Sequence, residues 1–159
     1  MLSALALVLS FLESLIPFQP GLPGIKLGLA NLVIVFALYR MNVHSALLIN
    51  TVRILLAGLL FSGLFGLLYS AAGAAASLTA MTLLLQINRK RERVGKSILF
   101  SIFGVSMTGG VFHNLGQLLV AILFLSSLNL IYYLPVMIIS GIVMGLINGM
   151  IARLLLQKL

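Results

Sequence analysis

Three charged side chains lie inside otherwise apolar, helix-length stretches of this sequence: Glu13, Lys26 and Arg53. Most of the other charged residues lie between or after such stretches. A charge at the centre of a bilayer costs about 2.5–3.5 kcal/mol on insertion scales, so charged residues at that depth are rare and usually functional. The chain is therefore predicted to cross a membrane several times and to hold these charges for a purpose.

The composition supports lipid as the solvent and excludes several kinds of chemistry. Hydrophobic residues make up 62% of the 159-residue chain and charged residues 8%, against about 25% charged residues in soluble domains. The sequence has no Cys and no Asp, which excludes disulfides and thiolate nucleophiles. Two His and two Glu are too few metal-ligating side chains to predict a metal site. We expect no metal, no cofactor and no enzymatic activity.

Six spans are predicted at about 20 residues per crossing: 2–16, 25–39, 43–63, 66–87, 97–125 and 130–153. Segment 17–24 holds three Pro and two Gly and cannot continue a helix. The apolar segment 43–87 is too long for one crossing, so we expect a turn at 62–66. The fifth span is expected to be tilted or broken near Gly109 and Gly110. The predicted fold is an all-α integral membrane protein with six transmembrane helices, in one domain over 1–159.

The basic residues predict the orientation of the bundle. Six spans put both termini on one side, together with Arg40, the basic cluster 89–96, Arg153 and Lys158. Cytoplasmic loops carry the excess of Lys and Arg, so this side is predicted to be cytoplasmic, in the cell membrane. The formal charge of +8 is thus interpreted as a topology signal, and no nucleic-acid partner is expected.

Small residues recur every four positions on two spans, as Ala6 and Ser10 on the first and Gly141, Gly145 and Gly149 on the sixth. Such spacing lets helix backbones approach closely. The pattern fits internal packing of the bundle, and it also fits a stripe that docks another membrane protein.

Polar side chains from four predicted spans fall between the midplane and the outer surface: Glu13, Lys26, Asn31, Arg53, His113, Asn114 and Gln117. In a bilayer such groups face the bundle interior or a wet cavity. They predict an outward-facing pocket with segment 17–24 as its lid. The planar guanidinium of Arg53 suits a carboxylate or phosphate, so a small anionic or amphipathic ligand is expected.

An alternative gives the same residues structural roles. Glu13 would form a buried ion pair with Arg53 or with Lys26. The Lys26 side chain would otherwise reach the lipid headgroups. His113 and Asn114 would hydrogen-bond between helices.

Four segments resemble a known family: ALALVLSFLESLIP (4–17), GIKLGLANLVIVFALY (24–39), NTVRILLAGLLFSGLFG (50–66) and HNLGQLLVA (113–121). They are similar to small membrane proteins described as Gx transporters or heptaprenyl diphosphate synthase component I. The resemblance implies a six-helix bundle like the S component of energy-coupling factor transporters, which captures a vitamin-like nutrient. It also implies an energising T component with ATPase subunits, and a link to isoprenoid-quinone metabolism.

The sequence therefore predicts two alternative functions. One is a membrane-embedded binding and transport subunit, and the other is a non-catalytic membrane component of a polyprenyl diphosphate synthase or a quinone-linked redox system. Synthases of that kind hold Mg²⁺ and diphosphate with aspartate-rich motifs, since Mg²⁺ prefers hard oxygen ligands. A chain without Asp cannot build such a site, so the catalytic role is excluded.

The predicted orientation can be tested with single cysteines, which the native chain lacks. A cysteine at Ser127 should react with an impermeant thiol reagent added to intact cells, because 126–129 is predicted to face outward. A cysteine at Ser97 should react only after the membrane is opened. The reverse labelling pattern would contradict the assignment of both sides.

Overall fold

The structure is a computed structural model that describes residues 1–15 and 28–158. These residues form six α-helices and, within those two ranges, no strand: α1 Leu2–Leu15, α2 Asn31–Arg40, α3 Val43–Ala57, α4 Gly63–Arg93, α5 Ile102–Leu125 and α6 Leu134–Lys158. A π-helical turn, Gly58–Ser62, joins α3 to α4, and a 3₁₀ segment, Leu128–Tyr133, leads into α6. Lys26 and the predicted lid 17–24 lie outside the described residues.

Three helical stretches are long and apolar enough to cross a membrane: Val43–Arg93, Ile102–Leu125 and Leu128–Lys158. The first comprises α3, the π-helical turn and α4. Helices α1 and α2 have 14 and 10 residues, fewer than the about 20 that a straight crossing needs. The length and apolar character of the three stretches mark the chain as a membrane protein.

Helix α2 forms the centre of the bundle and contacts each of the other five helices. Val33, Ile34, Val35, Ala37 and Leu38 are at most 2% exposed. A helix that is apolar on all sides is buried on all sides. The surrounding helices turn large apolar side chains outward, as residues that face lipid do.

The chain reverses direction between α3 and α4 at Gly63, which lies within the segment 62–66 where the sequence predicts a turn. Gly63 has a φ of +65°, a conformation that residues with a Cβ rarely adopt. After the reversal, Leu67 packs against Gly58, where an added Cβ would come within 2.6 Å of the Leu67 side chain. Helices α3 and α4 are therefore antiparallel neighbours.

Two boundaries near the basic segment differ from the sequence prediction. Helix α4 continues through the polar stretch to Arg93, with Lys90, Arg91 and Arg93 in its last turn, where cations complement the helix dipole. Helix α5 begins at Ile102 rather than at 97, because the Asn88 side chain binds the backbone of the preceding loop. Its Oδ1 accepts the N–H groups of residues 99 and 100, and its Nδ2 donates to the carbonyl of residue 100.

The expected break near Gly109 and Gly110 is wrong, since both glycines lie inside the continuous helix α5. Because they lack a Cβ, they let two neighbouring helices pack closely against α5, one on each side. A Cβ on Gly109 would come within 2.5 Å of the Met81 Sδ on α4. A Cβ on Gly110 would collide with the Gly141 carbonyl oxygen on α6.

The basic helix ends meet at one end of the bundle. Tyr39 at the end of α2 and Arg89 near the end of α4 line one cavity together with Ile102 at the start of α5. The Arg153 guanidinium on α6 lies 5.3 Å from the centre of the Phe103 ring on α5. The residues that carry the predicted topology signal thus share one end.

The close α5–α6 contact predicts a position-specific effect of Gly→Ala substitution on α5. Gly110→Ala should destabilise the bundle by about 1–3 kcal/mol, the range for overpacking a tight core. Gly104→Ala is the matched control, because the nearest atom to its added Cβ is the Ser101 Oγ at 3.8 Å. Thermal unfolding of both variants in detergent checks this; a Gly110→Ala protein as stable as Gly104→Ala would contradict the packing.

Candidate functional site

The buried guanidinium of Arg53 links α3 to α1. Arg53 is 4% exposed. Its Nη2 and Nε donate to the Asn50 Oδ1 at 2.7 and 3.2 Å, and its Nη1 donates to the Ser10 Oγ at 3.1 Å. A guanidinium has five N–H donors, and these three bonds fix its plane between the two helices.

Glu13 lies three residues after Ser10 on α1 and is 5% exposed. Its carboxylate accepts a hydrogen bond from the backbone N–H of Gly28, and it attracts the Arg53 guanidinium electrostatically. The sequence prediction placed Glu13 near Arg53, and the structure adds the backbone of Gly28 as its hydrogen-bond donor.

Gly28 is the junction where α1, α2 and α6 meet. Its φ of +87° favours glycine. Its carbonyl oxygen accepts a hydrogen bond from the Asn148 Nδ2 at 2.9 Å. Asn148 lies 14 residues after the start of α6, about 21 Å along the helix axis. Gly28 therefore lies near the middle of the bundle, deeper than the outer rim where sequence reasoning placed the start of the second span.

Asn31 continues this arrangement toward α4. Its Nδ2 donates to the Ser77 Oγ at 2.9 Å, and the Ser77 hydroxyl can donate back to the Asn31 Oδ1 at 3.3 Å. Asn31 is 7% exposed and Ser77 is fully buried. The pair is satisfied inside the protein, as buried polar groups must be in lipid.

His113 and Gln117 share one face of α5, and their side-chain nitrogens lie 3.1 Å apart. Gly73 on α4 makes room for both, since an added Cβ would come within 2.8 Å of the His113 carbonyl oxygen. On the other side, a Cβ on Gly28 would lie 3.6 Å from the His113 Cδ2. His113 thus borders the Gly28 junction.

Asn114 points elsewhere. Its Nδ2 donates to the Met137 carbonyl oxygen at 2.7 Å and to the Ser140 Oγ at 2.9 Å, both on α6. Neighbouring positions on a helix are separated by about 100°, so Asn114 and His113 face different helices. Asn114 hydrogen-bonds between helices, and the structure does not bring it to the Gly28 junction.

The two small-residue stripes lie in contacts within the chain. Ala6 and Ser10 are fully buried, and Ser10 accepts a bond from Arg53. Gly141, Gly145 and Gly149 lie so close to α5 that an added Cβ would come within 2.8, 2.5 and 3.1 Å of its atoms. Internal packing accounts for these contacts, and docking of a partner by either stripe stays a prediction.

Polar residues from all six helices and the Gly28 turn thus line the interior, and we call them the polar layer: Ser10, Glu13, Gly28, Asn31, Asn50, Arg53, Ser77, His113, Gln117 and Asn148. The predicted pocket did not include five of these members: Ser10, which was assigned to a small-residue stripe, and Gly28, Asn50, Ser77 and Asn148. A signal was present for Asn148, a polar residue between two glycines of the α6 stripe. Nothing in the sequence distinguishes Gly28 or Ser77 from the many other small residues.

The layer contains one buried cation and one buried anion, with amides and hydroxyls around them. Such donors suit recognition of an oxyanion by hydrogen bonds and charge. Within the described ranges, no three His, Cys, Asp or Glu side chains are grouped to hold a metal ion. The chemistry that these residues offer is binding.

Comparison with protein families identifies a match that spans nearly the whole chain. The sequence profile described as heptaprenyl diphosphate synthase component I matches residues 2–155. A comparison with curated proteins found no match, and a comparison with solved structures found none. Because the match covers far more than half of the sequence, the chain belongs to the heptaprenyl diphosphate synthase component I family.

Proposed function

We propose that this protein is a six-span membrane subunit that binds a small anionic or amphipathic compound in a pocket around Arg53 and passes it across the cell membrane. Its architecture would be that of the S component of an energy-coupling factor transporter. The observation that carries the proposal is the buried, hydrogen-bonded Arg53 in the polar layer. Lys26 would form part of the outer rim, and Asn31, His113 and Gln117 would set polar specificity.

The geometry of Arg53 supports binding over simple structural pairing. A guanidinium buried for stability alone would need a closely paired carboxylate, because an uncompensated buried charge is strongly destabilising. Here Asn50 and Ser10, both neutral, supply the hydrogen bonds to Arg53. Glu13 instead accepts the Gly28 N–H. Neutral partners thus orient Arg53, and its charge, which Glu13 also attracts, is the proposed anchor for an anion.

The start of α2 adds a second favourable element. This ten-residue helix begins in the middle of the bundle, close to Glu13 and His113. Helix N-termini carry a partial positive charge, and half-helices that end inside the membrane recur at substrate sites of transporters. An anionic group would therefore be stabilised at this level by the helix end as well as by Arg53.

The proposed orientation has both termini and the basic end of the bundle in the cytoplasm, following the distribution of Lys and Arg. The ligand would then enter from the opposite side. The sequence holds no G-x-x-x-x-G-K-[ST] motif, the loop that binds ATP phosphates. Energy for transport would come from a partner, and a T component with ATPase subunits is the proposed one.

The family assignment favours a second candidate function. Component I is a non-catalytic subunit, so the chain is not itself the enzyme. Its family description places it in a multi-subunit assembly. In this alternative, the protein is the membrane component of a heptaprenyl diphosphate synthase or of a quinone-linked redox system, and the polar layer positions a substrate or product for a soluble partner.

Purification from native membranes in a mild detergent distinguishes the two functions. We expect a T component and ATPase subunits to co-purify with the tagged chain at fixed stoichiometry. A soluble prenyl synthase in their place would support the second candidate and contradict the first. Gly104→Ala serves as a tagged control of normal fold.

Charge-neutral variants test the role of Arg53 directly. Arg53→Gln should abolish ligand binding with little loss of expression, since removing one buried charged partner costs about 2–5 kcal/mol. Arg153→Gln is the matched control, because that side chain is exposed at the end of the bundle. Native mass spectrometry of the proteins purified from their own membranes measures ligand retention.

Glu13 separates the binding function from a structural ion pair. If Glu13 serves mainly to neutralise Arg53, the Glu13→Gln/Arg53→Gln double variant should regain the thermal stability that either single variant loses, and binding should survive in all three proteins. If Arg53 anchors the ligand, the double variant stays empty however stable it becomes. Normal ligand retention by Arg53→Gln would end the proposal.

A further inference from the structure

A cavity of about 250 Å³ lies between α3 and α4, and we call it the α3–α4 slot. Apolar and small side chains form most of its wall, including Leu47, Ile54, Leu67, Ala71, Ala74 and Leu78. Its origin is visible in the packing. Leu67 closes the gap between the helices near the turn by packing against Gly58, whereas the alanines further along α4 leave it open.

The α3 wall of the slot includes one amide, that of Asn50, which is also a hydrogen-bond partner of Arg53. Asn50 lines the slot, and its Oδ1 accepts both the Nε and the Nη2 of Arg53. Because the Oδ1 is held by the guanidinium, the Nδ2 group is the part of the amide that can donate to a ligand. One side chain thus connects an apolar slot to the buried cation.

The mouth of the slot faces the region that lipid occupies. Leu47 and Leu55, which flank it on α3, are each 50% exposed. An apolar slot of this kind does not hold ordered water. It is slightly smaller than the about 300–1,000 Å³ of pockets that hold whole drug-sized ligands, so it fits part of a ligand, such as one short chain.

We propose that the α3–α4 slot takes the apolar chain of an amphiphile whose anionic headgroup lies against Asn50 and Arg53. This inference rests on the proposed function, in which Arg53 anchors the anion, and it specifies the ligand class. The ligand would combine a short hydrocarbon chain with a phosphate or carboxylate.

The depth of Asn50 argues against an ordinary bilayer phospholipid as the occupant. Asn50 and Arg53 lie 7 and 10 residues after the start of α3, about 10 and 15 Å along the helix. Phospholipid headgroups stay at the surface of a hydrocarbon core about 30 Å thick. A headgroup at Asn50 must therefore belong to a molecule that can enter the bundle, such as a single-chain amphiphile.

Binding of geranyl phosphate to the purified full-length chain tests the proposal. Inorganic phosphate and geraniol are the controls, since they represent the headgroup and the hydrocarbon chain of geranyl phosphate separately. We expect geranyl phosphate to bind at least about tenfold more tightly than either part, since single methylene contacts in apolar pockets change affinity by about 10–200-fold. Isothermal titration in a non-ionic detergent measures the three dissociation constants.

A matched pair of substitutions on α4 tests whether the hydrocarbon chain of geranyl phosphate lies in the slot. Ala71→Leu fills the slot and should weaken geranyl phosphate binding by about tenfold or more. Ala76→Leu is the control: it lies on the same helix, is also half-buried, and lines a separate groove toward α5. The affinity of the Ala76→Leu variant for geranyl phosphate should equal that of the native protein. Ala71→Val is a smaller substitution in the slot, to be used if thermal unfolding shows that Ala71→Leu is misfolded.

The outcomes separate this inference from the proposed function. Loss of binding in Arg53→Gln with no effect of Ala71→Leu would overturn the slot while leaving Arg53 as the anchor. Loss in Ala71→Leu with no effect of Arg53→Gln would overturn both the proposed function and this position of the headgroup. The proposal also fails if geranyl phosphate does not bind the native chain. It fails as well if the slot has another occupant. In that case Ala71→Leu would release a co-purified phospholipid or break a dimer, and geranyl phosphate would compete with neither.

Discussion

The structure depends on a short buried helix that begins inside the bundle and not at its surface. A backbone group left unpaired in lipid costs several kcal/mol, so a chain that turns at this depth needs internal partners. Gly28 has one on each side: its N–H donates to Glu13 on α1, and its carbonyl accepts from Asn148 on α6. The carbonyl of Gly28 also accepts the N–H of Asn31, which starts the helix. These bonds connect three helices through one glycine.

The same bonds hold Glu13 and Arg53 in one layer of the bundle. Glu13 is engaged by the backbone of Gly28, and Arg53 is oriented by the neutral groups of Asn50 and Ser10. Each charge is therefore hydrogen-bonded, and the two attract each other through the polar layer. An arrangement of this kind holds a cation in place at modest cost and keeps part of its field for a bound anion.

Sequence reasoning predicts the helices well and their depths less well. Hydropathy and the Pro and Gly positions predict an all-helical membrane protein, and Gly63 falls in the segment where the turn was expected. Periodicity cannot show that α2 starts at mid-height, because this follows from the contact of Gly28 with a residue 120 positions later. The role of Gly109 and Gly110 likewise depends on contacts with other helices, which the sequence pattern does not show. A pair of glycines suggests a break by propensity, but α5 continues through them and packs closely against α4 and α6 there. Asn114 and His113 are adjacent in sequence and serve different helices for the same geometric reason.

The two candidate functions make similar demands on the polar layer. A transported nutrient and an intermediate handed to a soluble synthase both need a site that recognises an anion inside an apolar bundle. The proposed use of the α3–α4 slot would add a hydrocarbon chain to the ligand, since Asn50 lines the slot and hydrogen-bonds to Arg53. The difference between the functions then lies in the partner at the basic end of the bundle, where α4 extends to Arg93 and the Asn88 side chain fixes the loop to α5. A T component and a soluble synthase would both approach from this end. Under either proposal, the energy source and the fate of the ligand would be properties of the assembly, and the selection of an anionic ligand would be a property of this chain.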